Sequence, residues 1–435
     1  KGFSALPSNG LTNPDDGVPS FLHTIGDNLY TVSNTAVQKF DGTSWTATRG
    51  AAPLTALSEF FRIEPSRGLD HFSFVETDSG HYVCAWEVKT PTPVDTDVRH
   101  IVIRGYTSTG ELINETVLED AKCPTVVRSS STGEAFVLYA PADATPAFKQ
   151  LFAALYVASS NTLGVGIQLT SEFVYDEDYS HLDGSSSAVE NSLLNSYLGY
   201  EHYQVHTAPD GSHVLMYTNG ADRALTVRRF ASDFLSQTFT HTPIGAPAAT
   251  EGTRPFGVYA TNTNSYILWA RRDAAGGVGD YEVTLTKLDV DNAVVWTTVV
   301  DSDSLIDKVP YHGTVILNGS TVFYAFHVDR SQPNLLHNDV GLRWGSVLDA
   351  SGGGLVLKKT FHHRLTTNAV VHEGEVYFGV QQLFEPSPQG NAANDFDVDD
   401  VVSTLSALKP TSTLLVRADI TRERLFPVAG AHLGR

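Results

Sequence analysis

A short pattern recurs along this chain: a turn built on Gly, Asn or Asp, then a strand of aromatic and β-branched residues. The copies read IGDNLYTVS, TDSGHYVCAW, SSTGEAFVLYA, APDGSHVLMYT, TNTNSYILWA, LNGSTVFYAF and HEGEVYFGV. Their turn residues are Asn28, Gly80, Gly133, Gly211, Asn264, Gly319 and Gly374, at successive spacings of 52, 53, 78, 53, 55 and 55 residues. A near-constant period means that one structural unit is repeated, each unit burying its apolar surface against the next.

Each copy carries the same flanks. A strand of mixed polarity precedes the turn, such as HFSFVET from His71 or GTVILNG from Gly313. A third and fourth strand follow, as in RHIVIRGYTSTGELINETVL and GLRWGSVLDASGGGLVLKKTF. Four antiparallel strands per unit and seven units predict an all-β chain, a seven-bladed β-propeller. At 435 residues the chain exceeds what one ordinary core serves, which suits a repeat-built domain. The blades are expected near 20–50, 68–120, 123–171, 201–244, 254–302, 308–361 and 364–431, with 1–19 a linker or ring-closing segment before a propeller of 20–435.

The long 78-residue spacing locates an insertion at 174–200, after the third blade. There Ser187 and Glu190 have capping-box spacing, and Val189, Leu193, Tyr197 and Leu198 share a helical face, predicting a short helix. A second insertion, 385–410, interrupts the last blade between its second and third strands.

Composition excludes some functions. A net charge of −20 argues against a nucleic-acid-binding surface, although a local basic mouth for a polyanion can coexist with an acidic body. No apolar run reaches the roughly 18–20 residues of a membrane helix, so no membrane insertion is expected. Two cysteines, Cys84 and Cys123, are too few for a disulfide framework or a four-thiolate metal site; free buried thiols or one bridge remain. The start KGFSALPSNG, without Met or a signal peptide, reads as a processed or trimmed product.

In a propeller, the starts of first strands and the ends of second strands gather on one rim. Here the starts supply Asp70, His71, Glu201, His202, Arg254, Tyr311, His312, His362, His363 and Arg364. The ends supply Trp86, Glu87, Asn219, Arg271, Arg272, His327, Asp329 and Arg330. His71, His202, Tyr311, His312, His327, Arg254 and Arg330 are the candidates for catalysis. Trp86, Glu87, Arg271, Arg272, Asp329 and Arg364 are the candidates for binding. Arg can neutralise a substrate carboxylate while His or Tyr moves a proton, which β-elimination on a uronate requires. A glycosidase instead needs two carboxylates roughly 5–10 Å apart, for which Asp70, Glu87, Glu201 and Asp329 are available.

NDFDVDD, Asn394–Asp400, alternates Asp395, Asp397 and Asp399 like a calcium loop. Asp400 stands where the EF-hand pattern has Gly, and Ser406 where it has Glu, so an irregular structural calcium is the one cofactor suggested. KFDGTSWT resembles the Asp-box turn of sialidases but lacks its Ser and occurs once; it reads as a third-to-fourth strand hairpin. No GxSxG elbow, phosphate-binding glycine loop, HExxH or paired CxxC is present. The Gly-His and Trp-Asp dipeptides of WD-repeat scaffolds are missing as well.

Hairpins such as FDGTSWT and LDASGGGLVL resemble those of propeller-bearing tail proteins of tailed bacteriophages. That resemblance implies a non-catalytic structural or adhesion propeller, extracellular or on a virion, whose rim meets partner subunits or surface glycans. The His, Tyr and Arg rim is similar, at the level of architecture, to that of propeller polysaccharide lyases. This second resemblance implies a secreted polysaccharide lyase or glycoside hydrolase.

Overall fold

The computed structural model describes residues 21–25, 28–32, 37–40, 45–47, 73–90, 98–107, 112–141, 148–171, 174–175, 203–219, 224–238, 242–244, 252–273, 280–303, 308–330, 341–361, 363–365, 368–382, 413–419 and 424–433. Among them, seven antiparallel sheets of four or five strands follow one another along the chain, with one further two-stranded sheet. The first holds β1 (Phe21–Ile25), β2 (Asn28–Val32), β3 (Val37–Phe40) and β4 (Trp45–Ala47). The second holds β5 (Ser73–Glu76), β6 (Tyr82–Thr90), β7 (Val98–Tyr106) and β8 (Leu112–Glu119). The third runs through β9 (Ala121–Arg128), β10 (Ala135–Pro141) and β12 (Phe152–Val157) to an outer position split between β13 (Thr162–Leu163) and β14 (Ile167–Gln168).

The fourth sheet is β16 (Tyr203–Thr207), β17 (His213–Thr218), β18 (Leu225–Phe230) and β19 (Thr242–Ile244). The fifth is β20 (Gly252–Ala260), β21 (Asn264–Asp273), β22 (Asp280–Asp289) and β23 (Val294–Asp303), and the sixth β24 (Lys308–Asn318), β25 (Thr321–Arg330), β26 (Gly341–Leu348) and β27 (Val356–Phe361). In the seventh, β28 (His363–Leu365) and β29 (Val370–His372) share the inner position beside β30 (Glu375–Gln382), β31 (Thr413–Asp419) and β32 (Arg424–Leu433). Each of these seven sheets is a meander in chain order, the blade of a β-propeller, and the chain is an all-β protein of that class.

The turns explain the repeat. Gly80, Gly133, Gly211, Gly319 and Gly374, between first and second strands, all have positive φ, a conformation that a Cβ would strain. KFDGTSWT is the β3–β4 hairpin, with Phe40 paired to Trp45. The second insertion, 385–410, lies outside the described residues. The helix expected around Ser187 and Glu190 lies outside the described residues. At the start of that first insertion, β15 (Val174–Tyr175) pairs with β11 (Phe148–Lys149), a strand pair not expected from the sequence.

Two compact units make up the chain, Arg67–Ile306 in one and Lys1–Ser66 with Asp307–Arg435 in the other. In the first, strand alternation sends successive side chains into different cores. On β17, Leu215 and Tyr217 join Phe136, Leu138 and Leu151 of the third sheet. Val214 and Met216 join Val258, Ile267 and Trp269 of the fifth. Both faces are therefore buried, and HVLMYT is apolar almost throughout instead of alternating. Outer strand β8, by contrast, alternates exposed and half-buried residues. In the second unit Val322–Val328 of β25 are all buried, and Phe323 packs against Phe378 of β30 with ring centroids 5.4 Å apart. Cys84 and Cys123 are free thiols, both buried.

Candidate functional site

Inner strands pair on one side only, so their geometry controls what they present. Three of them carry a β-bulge in the half away from the glycine turn. On β9, Cys123 and Pro124 stand opposite the single residue Tyr139. On β20, Phe256 is the extra residue between the pairs Pro255–Trp269 and Gly257–Leu268. On β24, His312 is extra between Tyr311–His327 and Gly313–Phe326. In the seventh sheet the interruption is larger, between Leu365–Val380 and Val370–Tyr377. An extra residue bends the strand and re-aims what it carries, and such bulges are over-represented beside active sites.

Two of the bulges serve packing. The Tyr203 phenol donates to the Cys123 carbonyl oxygen at 2.7 Å, tying the third sheet to the fourth. Phe256 is buried beneath Arg254, whose guanidinium carbon lies 5.7 Å from the ring centroid. The sixth sheet puts a histidine at the equivalent place.

In the unit containing that sheet, the register brings several expected residues to one end of one hairpin. Tyr311 is the direct cross-strand partner of His327, Val309 of Asp329, and Lys308 of Arg330. Strand β28, which holds Arg364 opposite Gln381, packs beside β25 and β26. His327 itself is buried, 3% exposed. Next to it in the sheet is fully buried Arg343, paired across the strands with Phe326 and donating to the Gly341 carbonyl oxygen. Composition-based reading of loop ends misses Arg343, although a lone Arg inside the apolar run GLRWGSVL is a usable signal.

In the other unit, Thr253 and Gly252 of β20 pair with Arg271 and Arg272. Arg254 is buried at 2% exposure, while Arg271 is exposed. Trp86 is buried, and its ring is covered by Arg104 at 5.1 Å. Arg104 in turn donates through Nε to Glu115 at 2.5 Å. Burial of Tyr106, reinforced by the neighbouring Cys84 thiol, raises its phenol far above the usual range. Burial likewise pushes Cys84 up to about 12, so it is a packed thiol and not a nucleophile. Glu87 lies on β6 across from Ile101. His71, His202, Asp70, Glu201, His362 and the calcium candidates Asp395, Asp397 and Asp399 lie outside the described residues. Among the described residues, no three His, Cys, Asp or Glu side chains are grouped to hold a metal ion. No described helix is long and apolar enough to cross a membrane.

No protein-family model matches the chain, and no curated protein is similar to it at a significant level. Solved structures similar to it include a puromycin hydrolase S511A mutant complexed with PGG, at 10% identity and TM-score 0.47, over 99% of this chain and 57% of that one. Another is an α-L-arabinanase from Penicillium chrysogenum complexed with arabinobiose, at 10% identity and TM-score 0.41, over 72% and 89%. A third is an exo-β-1,3-galactanase from Clostridium thermocellum, at 12% identity and TM-score 0.38, over 73% and 65%. The chain thus spans less than two thirds of the galactanase and puromycin hydrolase chains.

These findings correct the first functional expectation. The three structures named are enzymes by their descriptions, two of them glycan-degrading, where a non-catalytic structural or adhesion propeller was expected. The virion and phage-tail terms fall with that reading, and the lyase likeness finds no support among the matches. At these identities no residue role transfers from any of them.

Proposed function

We propose that this chain is a secreted enzyme that cleaves glycosidic bonds in a polysaccharide, using the strand ends of the sixth and seventh sheets. The observation that carries the reading is the register at β24 and β25: Tyr311 is paired with His327, and His312 is the extra residue of the bulge beside them. Tyr and His at adjacent positions supply an acid and a base, a pairing typically worth about 10²- to 10⁴-fold in rate. Arg364, on a strand packed against β25, is the group that would hold an acidic substituent of the sugar. Asp329, two residues beyond His327, is the carboxylate that a hydrolytic route would use.

The test is incubation with a panel of neutral and uronate-containing polysaccharides, following new reducing ends together with ultraviolet absorbance of unsaturated uronate. Reducing ends without absorbance indicate hydrolysis; both together indicate elimination. Tyr311→Phe and His312→Ala are each expected to lower turnover about 100-fold or more with thermal stability retained. Absence of new reducing ends across the panel, or full turnover in both variants, overturns the proposal.

A further inference from the structure

Three hydrogen bonds recur at one repeat's separation. The Ser73 hydroxyl of β5 accepts from the Val126 backbone N–H of β9 at 2.8 Å, 53 residues away. The His206 ring of β16 accepts, through Nδ1, from the Ala260 N–H of β20 at 3.1 Å, 54 residues away. The Thr314 hydroxyl of β24 accepts from the Ala369 N–H just before β29 at 2.8 Å, 55 residues away. In each case an inner strand reaches a backbone N–H on, or just before, the next sheet's inner strand. The second, fourth and sixth sheets supply the side chain; the third, fifth and seventh present Val126, Ala260 and Ala369.

Two of these latches are hydroxyls, which accept at any ordinary pH. The third is an imidazole. A backbone N–H pointing at Nδ1 requires that nitrogen to be unprotonated, so the neutral ring carries its hydrogen on Nε2. Adding a proton turns the acceptor into a donor facing another donor, and the bond is lost. From this geometry we infer that His206 makes the seam between the fourth and fifth sheets acid-sensitive: closed with a neutral ring and locally opened when the ring is protonated.

Desolvation and a like-charged neighbour oppose the half-buried imidazolium, with the Tyr259 ring a partial offset. Tyr259 of β20 packs on the His206 ring at 4.7 Å between centroids, and Tyr266 of β21 lies behind Tyr259 at 6.3 Å. The ionisable neighbour acting on His206 is His213 of β17, a like charge when protonated. The carboxylates of Asp210 and Asp233 act on His213, and Arg229 of β18 sits beside Asp210. Strand β9, packed beside β16, carries Lys122 and Arg128, the latter ion-paired with Asp78, and β20 carries Arg254. Burial, then His213, accordingly holds the His206 ring down at about 4.

The experiment is amide hydrogen exchange, corrected for intrinsic rate, between pH 7 and pH 4.5 on the intact chain. Peptides covering β20 report the His206 seam, and peptides covering Ala369 report the Thr314 seam as an internal control. Protection of β20 is expected to fall about 10-fold or more across this range while the Thr314 seam holds. His206→Asn keeps an acceptor near the Nδ1 position without a titrating ring, and should lose clearly less β20 protection than the parent between the two pH values, the residual loss being that of His213. Unchanged protection in the parent chain overturns the inference. So does equal loss at the two seams, or a parallel loss in His206→Asn. His206→Phe, lacking any acceptor, should leave β20 weakly protected at pH 7 already; full protection there overturns the inference too.

Discussion

The Tyr203 phenol donates to the carbonyl oxygen of Cys123 at 2.7 Å, and Cys123 is a non-glycine residue held at φ +56°. The two facts belong together. The β9 bulge turns Cys123 into the left-handed region, at a strain on the order of 1–2 kcal/mol, and thereby aims its carbonyl at the fourth sheet. Tyr203 is buried, so no water replaces the phenol if it is lost. Tyr203→Phe should therefore destabilise the chain by about 1–2 kcal/mol, read as a lower urea midpoint with unchanged slope. An unchanged midpoint would show that the bulge is held by its own strand.

Arg229 makes a broader junction. Its guanidinium is 1% exposed and donates to the carbonyl oxygens of Thr261, Asn262 and Asn264 and to the hydroxyls of Ser212 and Ser265. Burial lowers its affinity for the proton, an effect that nearby Asp210 partly offsets. A planar fork can reach several carbonyls around one turn where a compact ammonium cannot. Arg229→Lys is expected to cost about 2–4 kcal/mol, close to the cost of Arg229→Ala. Thermal unfolding of both variants checks this; near-parental stability of the Lys form would mean that charge, not geometry, holds the turn.

Turn glycines show what a sequence reveals about such a fold. Gly319 is visible in the Asn-Gly pair ahead of a strand; it has φ +60°, and a methyl added there would meet nothing within 4 Å. Gly345 sits inside strand β26 without any turn signal, yet a Cβ there would overlap the Val356 carbonyl oxygen and lie 2.7 Å from the Tyr324 hydroxyl. Gly319→Ala should thus cost only the backbone term, about 1 kcal/mol. Gly345→Ala should cost several kcal/mol or prevent folding, because it must break the Tyr324–Val356 hydrogen bond as well as move the backbone. Equal unfolding midpoints for the two variants would refute the distinction.

The same divide runs through the candidate site. Tyr311, His312 and His327 are readable because polar residues at strand ends stand out against apolar runs. That His312 is the extra residue of a bulge is not, because a two-against-one pairing depends on the partner strand and leaves no local pattern. Trp86 reads as a rim residue by position, but Arg104, 18 places along on the neighbouring strand, covers its ring. The order of the repeated strands follows from periodicity; the β11–β15 pair, the split positions in the third and seventh sheets, and the occupants of each seam do not.

Acid should weaken the fold through a second histidine. His213 is fully buried, hydrogen-bonded through Nδ1 to the Thr207 hydroxyl at 2.9 Å, and stacked on Phe234 at 4.1 Å with the rings nearly parallel. Burial brings it down to about 4, against the opposing pull of the Ser232 carbonyl and of Asp210 and Asp233. An unfolded chain protonates this ring near pH 6.5, so between about 6.5 and 4 the unfolded state binds the extra proton and gains. The stability that neutral His213 supports is complete above pH 6.5, declines as pH falls toward 4, and amounts to roughly 3 kcal/mol. Urea midpoints at pH 7 and 4.5 should show this decline, and His213→Gln should flatten it even while lowering the midpoint at pH 7. An equally steep decline in His213→Gln would place the acid sensitivity elsewhere, with His206→Asn as the next variant to compare.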